Sequence, residues 1–367
     1  SIPYQGLVTA NEKFSVRATI EIIRSLLAFF AALVIFYSCE KLRLYAALIT
    51  VANGIPALLF FTYCKKKFAD ITLWNFQRDL SKYRDMLGFS VWIMIGAAAA
   101  VGKIQGSALI INSFFGTVLN AGFGIARQVN AVISMFSRNL GQAAIPQITK
   151  NFSSGNTSRS VALTAHISKY TCFLMLIPSL PILLETDFLI TAWLGVVPPY
   201  TVIFCQLMII NELVSSLGEG IPALVQATGK IKYFQIILST TSLLSLPIGF
   251  FLYKWGYPPY AIQIAFIVTA LINVVMRQVL LKALIDFDVK YFIKTSYIRI
   301  LYVALLTLPL FLIKPLFPYG VSRFFIFSGF SVIVLLAAIY FAGLEKKEQS
   351  FAIDIMKGIF LRIRSHG

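Results

Sequence analysis

Apolar segments of about 18 to 25 residues follow one another almost from end to end of this chain, most of them separated by short basic loops. An α-helix rises about 1.5 Å per residue, so about 20 apolar residues cross a bilayer core of about 30 Å. A soluble fold has no use for so many stretches of that length. Barrel strands would alternate apolar and polar residues over about ten positions, whereas these runs are apolar on every side. Backbone groups in lipid must be satisfied within their own segment, which leaves helices. The expected class is all-α, a polytopic membrane helical bundle. Composition agrees: 58% of residues are hydrophobic and 13% charged, with a mean hydropathy of +0.80, against about 25% charged in a globular domain.

Ten spans are expected, at 15–37, 42–63, 86–115, 122–144, 165–184, 201–228, 231–252, 260–281, 300–313 and 324–342. Their connections separate by charge. One alternate set carries Lys13, Arg17, Lys65, Lys66, Lys67, Arg78, Lys82, Arg84, Arg138, Lys150, Arg159, Lys230, Lys232, Lys282, Lys290, Lys294, Arg299, Lys346, Lys347, Lys357, Arg362 and Arg364. The other set carries only Lys41, Arg43, Lys254, Lys314 and Arg323. Cytoplasmic loops are enriched in Lys and Arg, so the first set is expected in the cytoplasm. The same distribution accounts for the net charge of +17. Dispersed among loops, these cations make nucleic acid an improbable partner.

Two connections, 65–85 and the tail beyond Leu344, are amphipathic and are expected to lie along the membrane surface. Four cysteines (Cys39, Cys64, Cys172, Cys205) stand far apart, and His166 and His366 form no cluster. No metal site, P-loop or dinucleotide fingerprint is present in the sequence, so neither metal nor cofactor is expected, and the chain is not expected to be an enzyme. Residues 1–13 read as the end of an earlier span entering a cytoplasmic loop, so further spans are expected upstream of Ser1.

Several spans are too polar to face lipid alone. Gly102-Lys103-Ile104-Gln105-Gly106 interrupts the third, and Arg127, Gln128 and Asn130 sit in the fourth behind Gly122 and Gly124. Asn211, Glu212, Ser215, Gly218, Glu219 and Gly220 precede Pro222 in the sixth. Intramembrane charge is costly and turns to a bundle interior or aqueous cavity, where broken helices are also tolerated. A transporter with a polar internal chamber is the expected class.

Three blocks sharpen this: Asn112-Ser-Phe-Phe-Gly116 with Asn120-Ala121, Gly124-Ile-Ala126 and Gln128-Val-Asn130; Pro146-Gln-Ile148 with Lys150; and Ala227-Thr-Gly-Lys-Ile-Lys232. With Pro3-Tyr4 and Ala10-Asn-Glu-Lys13, their order resembles the O-antigen (Wzx-type) oligosaccharide flippases. These belong to a superfamily that also holds the MATE drug exporters. The resemblance implies a MATE-like fold lacking its first four helices. Residues 1–64 would close an N-terminal lobe, 65–85 connect, 86–282 form a six-helix C-terminal lobe, 283–342 a terminal pair and 343–367 a cytoplasmic tail. It further implies a bacterial cytoplasmic membrane protein that flips polyprenyl-pyrophosphate-linked oligosaccharide by alternating access. Membrane lipids, polysaccharide-assembly proteins and a coupling proton or sodium ion are the partners it implies.

The candidate contacts for diphosphate and glycan are Arg127, Lys103, Arg24, Gln128, Asn130 and Gln105, with Glu212 and Glu219 as ion-coupling candidates. Each has a plainer reading. Arg127 either lines the chamber or snorkels to headgroups. Lys103 either lines it or anchors at an interface, if its span ends near Val101. Arg24 stands three residues after Glu21, where the two can pair on one helix face. Glu212 and Glu219, one i,i+7 step apart and expected on one helix face, are either proton-exchanging carboxylates of the chamber or water-exposed groups at a helix break in its wall. Lys169 and Arg277 read as cytoplasmic interfacial anchors. The competing functions are a MATE-type drug or cation antiporter, favoured by an acidic chamber, and a membrane glycosyltransferase or polymerase, which calls for a sizeable extramembrane catalytic loop.

Overall fold

The computed structural model describes residues 2–36, 41–69, 80–285 and 287–350. The expected surface segments therefore fall largely outside it, since residues 70–79 and 351–367 are not among those described. Within the described residues the chain is helical throughout, with no strand. It forms two compact units, residues 1–83 and 84–367.

The first unit holds α1 (Ile2–Ala10), α2 (Phe14–Phe36) and α3 (Lys41–Lys67). Its buried seam is Val8, Ile20, Phe60 and Cys64, with one residue supplied by α1, one by α2 and two by α3. Glu21 and Arg24 pair at 3.0 Å on a half-exposed face of α2.

The second unit begins within α4 (Leu80–Ser153), followed by α5 (Thr157–Leu184), α6 (Thr186–Leu194), α7 (Thr201–Ser216) and α8 (Ile221–Ala227). Then come α9 (Lys232–Leu243), α10 (Ser245–Lys254) and α11 (Ala261–Leu284). A last pair is built from α12 (Val289–Phe292), a π-turn, α13 (Ile298–Thr307) and α14 (Pro309–Ile313), and then α15 (Val321–Ala338) with its own π-turn to Gly343.

Against the ten expected spans, the described residues hold seven helices long and apolar enough to cross a membrane, or eight when the bent pair α7–α8 counts as one. Two physical differences account for this. The expected spans 86–115 and 122–144 lie on two helices that join at Gly116 without an intervening loop and so count as one 67-residue stretch, Leu87–Ser153, whose contour at about 1.5 Å per residue is about 100 Å. That is about three bilayer cores. The stretch breaks at Gly116, whose φ of 81° and ψ of −179° only glycine adopts readily. Lys103 and Ala99 before the break line the same cavity as Arg127 and Ser134 after it, so the chain folds back there. The expected span 15–37 lies on α2, where Arg17, Glu21 and Arg24 crowd the described part of the helix.

Helix α5 is the axis of the second unit: 67% of its most apolar window is buried, against 6–39% for the other candidate spans of that unit. Its buried positions include Ser160, Thr164, Ser168, Lys169, Thr171 and Ser179 as well as apolar side chains. Two hydroxyls turn back on carbonyls, Thr164 on Ser160 at 2.8 Å and Ser160 on Ile148 at 3.2 Å. This satisfies polar atoms that would otherwise be buried without partners. Pro178 and Pro181 are tolerated inside the helix because packing on all sides holds it.

Glu185, Asp187, Lys314 and Arg323, all expected on one side of the membrane, meet at one end of this unit: Arg323 pairs with Glu185 at 2.7 Å and Lys314 with Asp187 at 3.9 Å. Lys169 corrects the sequence reading. It is no interfacial anchor, since its side chain is 0% exposed and bound to Glu348.

Candidate functional site

A cavity of about 600 Å³ lies within the second unit, between both arms of α4 and helices α7, α9 and α11. Each wall exists because an otherwise apolar helix carries polar residues along one stripe. Helix α11 presents Gln263, Asn273 and Arg277 with Phe266, in successive steps of three, seven and four residues so that they fall on one face. The second arm of α4 presents Arg127, Asn130, Ser134 and Arg138 by the same rule, and α7 presents Asn211, Glu212 and Ser215.

Lys103 and Arg127 both line this cavity, and so does Asn130. The Lys103 ammonium sits 4.0 Å from the centre of the Phe266 ring, where the negative face of the ring compensates part of its lost hydration. Glu212 also lines the wall, with Asn130 beside it and the charges of Lys103 and Arg138 acting on it. Gln105 and Gln128 do not line the cavity; both are exposed on α4. Arg24 belongs to the first unit and pairs there with Glu21.

Glu219 lies in the break between α7 and α8, next to Ser137 and close to Arg277. It approaches α4 so closely that a Cβ on Gly141 would lie 2.7 Å from its Oε1. The expectation that it shares a helix face with Glu212 fails for a simple reason: α7 ends at Ser216, before Glu219. Gly220 makes the turn with φ 85°.

Arg138 lies within the fourth expected span as well as among the cytoplasmic cations, and Arg277 reads as an interfacial anchor; the structure places both on the cavity. Arg138 lines the cavity and donates to the Ser134 hydroxyl at 2.9 Å. Arg277 lines it too, donating to the Ser215 carbonyl at 3.1 Å. A Cβ on Gly218 would meet its guanidinium group at 2.5 Å, so this glycine makes room for the arginine. The signal in the sequence was the pair Asn273 and Arg277, a polar step of i,i+4 in a mostly apolar helix that also carries Gln263 on the same stripe.

Smaller polar groups complete the wall. Asn273 donates to Ser242 at 2.9 Å, and Gln235 to Ser239 at 3.4 Å. Buried polar atoms of Asn130, Asn211, Gln263, Asn273 and Arg277 have no hydrogen-bond partner. Such atoms cost about 1–3 kcal/mol each when left dry, so a wall of this kind favours a polar, hydrogen-bonding occupant. Among the described residues no group of His, Cys, Asp and Glu could hold a metal ion. Comparison with family models, with curated protein sequences and with solved structures gives no match.

Proposed function

We propose that the chain belongs to a membrane transporter of the MATE-like type that flips a lipid-linked oligosaccharide, with the polyprenyl diphosphate held in the cavity between α4, α7, α9 and α11. The observation that carries this reading is the charge of the wall. Among the described residues, Lys103, Arg127, Arg138 and Arg277 line it against the single lining carboxylate Glu212. Counting Glu219 as well, cations outnumber carboxylates four to two. A diphosphate matches such a wall, because the planar guanidinium fork donates two hydrogen bonds to phosphate oxygens. The amides and hydroxyls supply the many weak contacts that sugars need. A sugar hydroxyl crossing hydrocarbon alone would lack partners and cost a few kcal/mol.

A cation antiporter is the weaker reading. Glu212 and Glu219 are the groups it would use, and the surrounding guanidinium groups oppose a cationic drug. Glu212 is then a counter-charge that holds Lys103 and Arg138 in place between rounds of transport and lets the anion leave.

The test uses the full chain in bilayer nanodiscs. A short-chain polyprenyl diphosphate is expected to bind and to be displaced by inorganic pyrophosphate, while ethidium does not bind. Ethidium binding without diphosphate binding would favour the antiporter instead. In cells lacking their own flippase, the chain together with any upstream spans is expected to restore surface polysaccharide.

A further inference from the structure

One stretch of α5 holds two different parts of the chain on opposite sides. Ser168 donates to the carbonyl of Leu217. A Cβ on Gly220 would lie 3.3 Å from the Thr164 methyl group and 3.4 Å from the Ile167 one. Residues 164, 167 and 168 thus clamp the break between α7 and α8. Residues 166, 169 and 170 project from the other face of the same helix, and all three converge on Glu348.

The carboxylate of Glu348 is densely bound. The Lys169 ammonium donates to both of its oxygens at 2.7 Å. Tyr170 donates its hydroxyl to Oε1, and His166 Nδ1 lies 3.1 Å from the same oxygen. The backbone N–H of Glu345 donates to Oε2 at 2.7 Å. This short segment after the last span is fastened twice more: Gln349 donates to the Tyr340 carbonyl at 2.7 Å, and Arg299 donates to the carbonyls of Ala342 and Leu344.

We propose that Glu348 is a latch, whose docking on Lys169 keeps α5 seated against the α7–α8 break and so holds Glu219 and Arg277 in place at the cavity. The physical link is Lys169. With Glu348 docked, its buried ammonium is paired. With Glu348 withdrawn, α5 is left with an unpaired charge in a site that is fully buried when the segment is docked, and bringing that charge to water means moving the turn that carries it. That turn brings Lys169 toward water only by drawing Thr164 and Ser168 off Gly220 and Leu217. Gly218, in the same break, packs on Arg277, which lines the cavity. The segment following the last span is thereby coupled to the wall of the cavity, whatever that cavity carries.

Hydrogen–deuterium exchange on the full chain in nanodiscs tests this. Glu348→Ala is expected to raise exchange in residues 345–350 by tenfold or more and, in parallel, in residues 214–222 by several-fold. The double variant Lys169→Met with Glu348→Ala removes the buried charge, so residues 345–350 stay fast while 214–222 return to the unmodified rate. If residues 214–222 do not respond to Glu348→Ala, or respond equally in the double variant, the coupling is absent. Should Glu348→Ala not accumulate in the membrane, Tyr170→Phe is scored by the same two segments. It removes one donor and keeps the ion pair, so a smaller parallel rise in both segments supports the latch. A rise in 345–350 alone, or none, overturns it.

Discussion

Arg323 at the start of α15 donates to the Glu185 carboxylate at 2.7 Å, and the two side chains are 8% and 0% exposed. This pair fastens the terminal helices to the junction of α5 and α6. Removing one partner leaves the other charge buried, which costs about 3–5 kcal/mol, whereas replacing both by apolar groups of similar volume is often neutral. Arg323→Met is therefore expected to lower the midpoint of thermal unfolding in micelles sharply. Arg323→Met with Glu185→Leu should recover most of the loss. A double variant as unstable as the single would show that hydrogen bonding at this junction, and not charge compensation, is what matters.

Glycine substitutions should separate by backbone conformation. Gly116→Ala forces a side chain into a region at φ 81°, ψ −179° that is essentially reserved for glycine, at about 1–3 kcal/mol. Gly220→Ala adds contact with Thr164 and Ile167 to strain at φ 85° and should cost more. Gly329 is helical with open space around its Cβ position, so Gly329→Ala should stabilise by about 0.5–1 kcal/mol. Thermal unfolding of the three variants ranks them. A Gly220→Ala protein as stable as Gly329→Ala would contradict the close packing of α5 on the break.

The cavity predicts which polar residues matter for transport. A charge-assisted hydrogen bond contributes about 1.5–3 kcal/mol, or about ten- to a hundredfold in affinity. Arg127→Ala and Arg277→Ala are expected to lose diphosphate binding on that scale, Arg127→Lys only in part, and Arg127→Glu entirely. Lys103→Ala should fall between. Gln105→Ala and Gln128→Ala, outside the cavity, should bind as the unmodified chain does. Binding measured by displacement and corrected for protein amount provides the check, and full binding by Arg127→Glu would remove that residue from the site.

The latch carries a pH signature. Burial raises the proton affinity of Glu348, but His166 close to its Oε1 and the hydrogen bonds from the Glu345 backbone, Lys169 and Tyr170 outweigh it and hold the carboxyl well below the usual carboxylate range. A carboxylate lowered in this way contributes stability that is fully present above its unfolded value of about 4.3. The contribution is lost as pH falls through the lowered folded value. Exchange of residues 345–350, corrected for the intrinsic rate, should thus stay slow from neutral pH down to about 4.3 and rise only below it. Release of the segment between pH 7 and 5 would show that a group other than Glu348 controls docking.

The sequence by itself determined that the chain is helical and built to cross a membrane, because uninterrupted apolar length leaves no other way to satisfy a backbone in lipid. It also located the polar interruptions, including Lys103, Arg127, Asn130 and Glu212, since intramembrane polar groups are too costly to be scattered without use. Only the tertiary structure decided which of these face one another. Gln105 and Gln128 stand within two residues of Lys103 and Arg127 yet lie off the lining stripe, because each step along a helix turns about 100°. Arg138, Lys169 and Arg277 looked like loop or interface cations, as position along the chain says nothing of the helices packed around it. The turn at Gly116 and the break at Gly220 set those neighbours. Lys169 found its partner 179 residues away, a distance over which sequence pattern carries no information about contact.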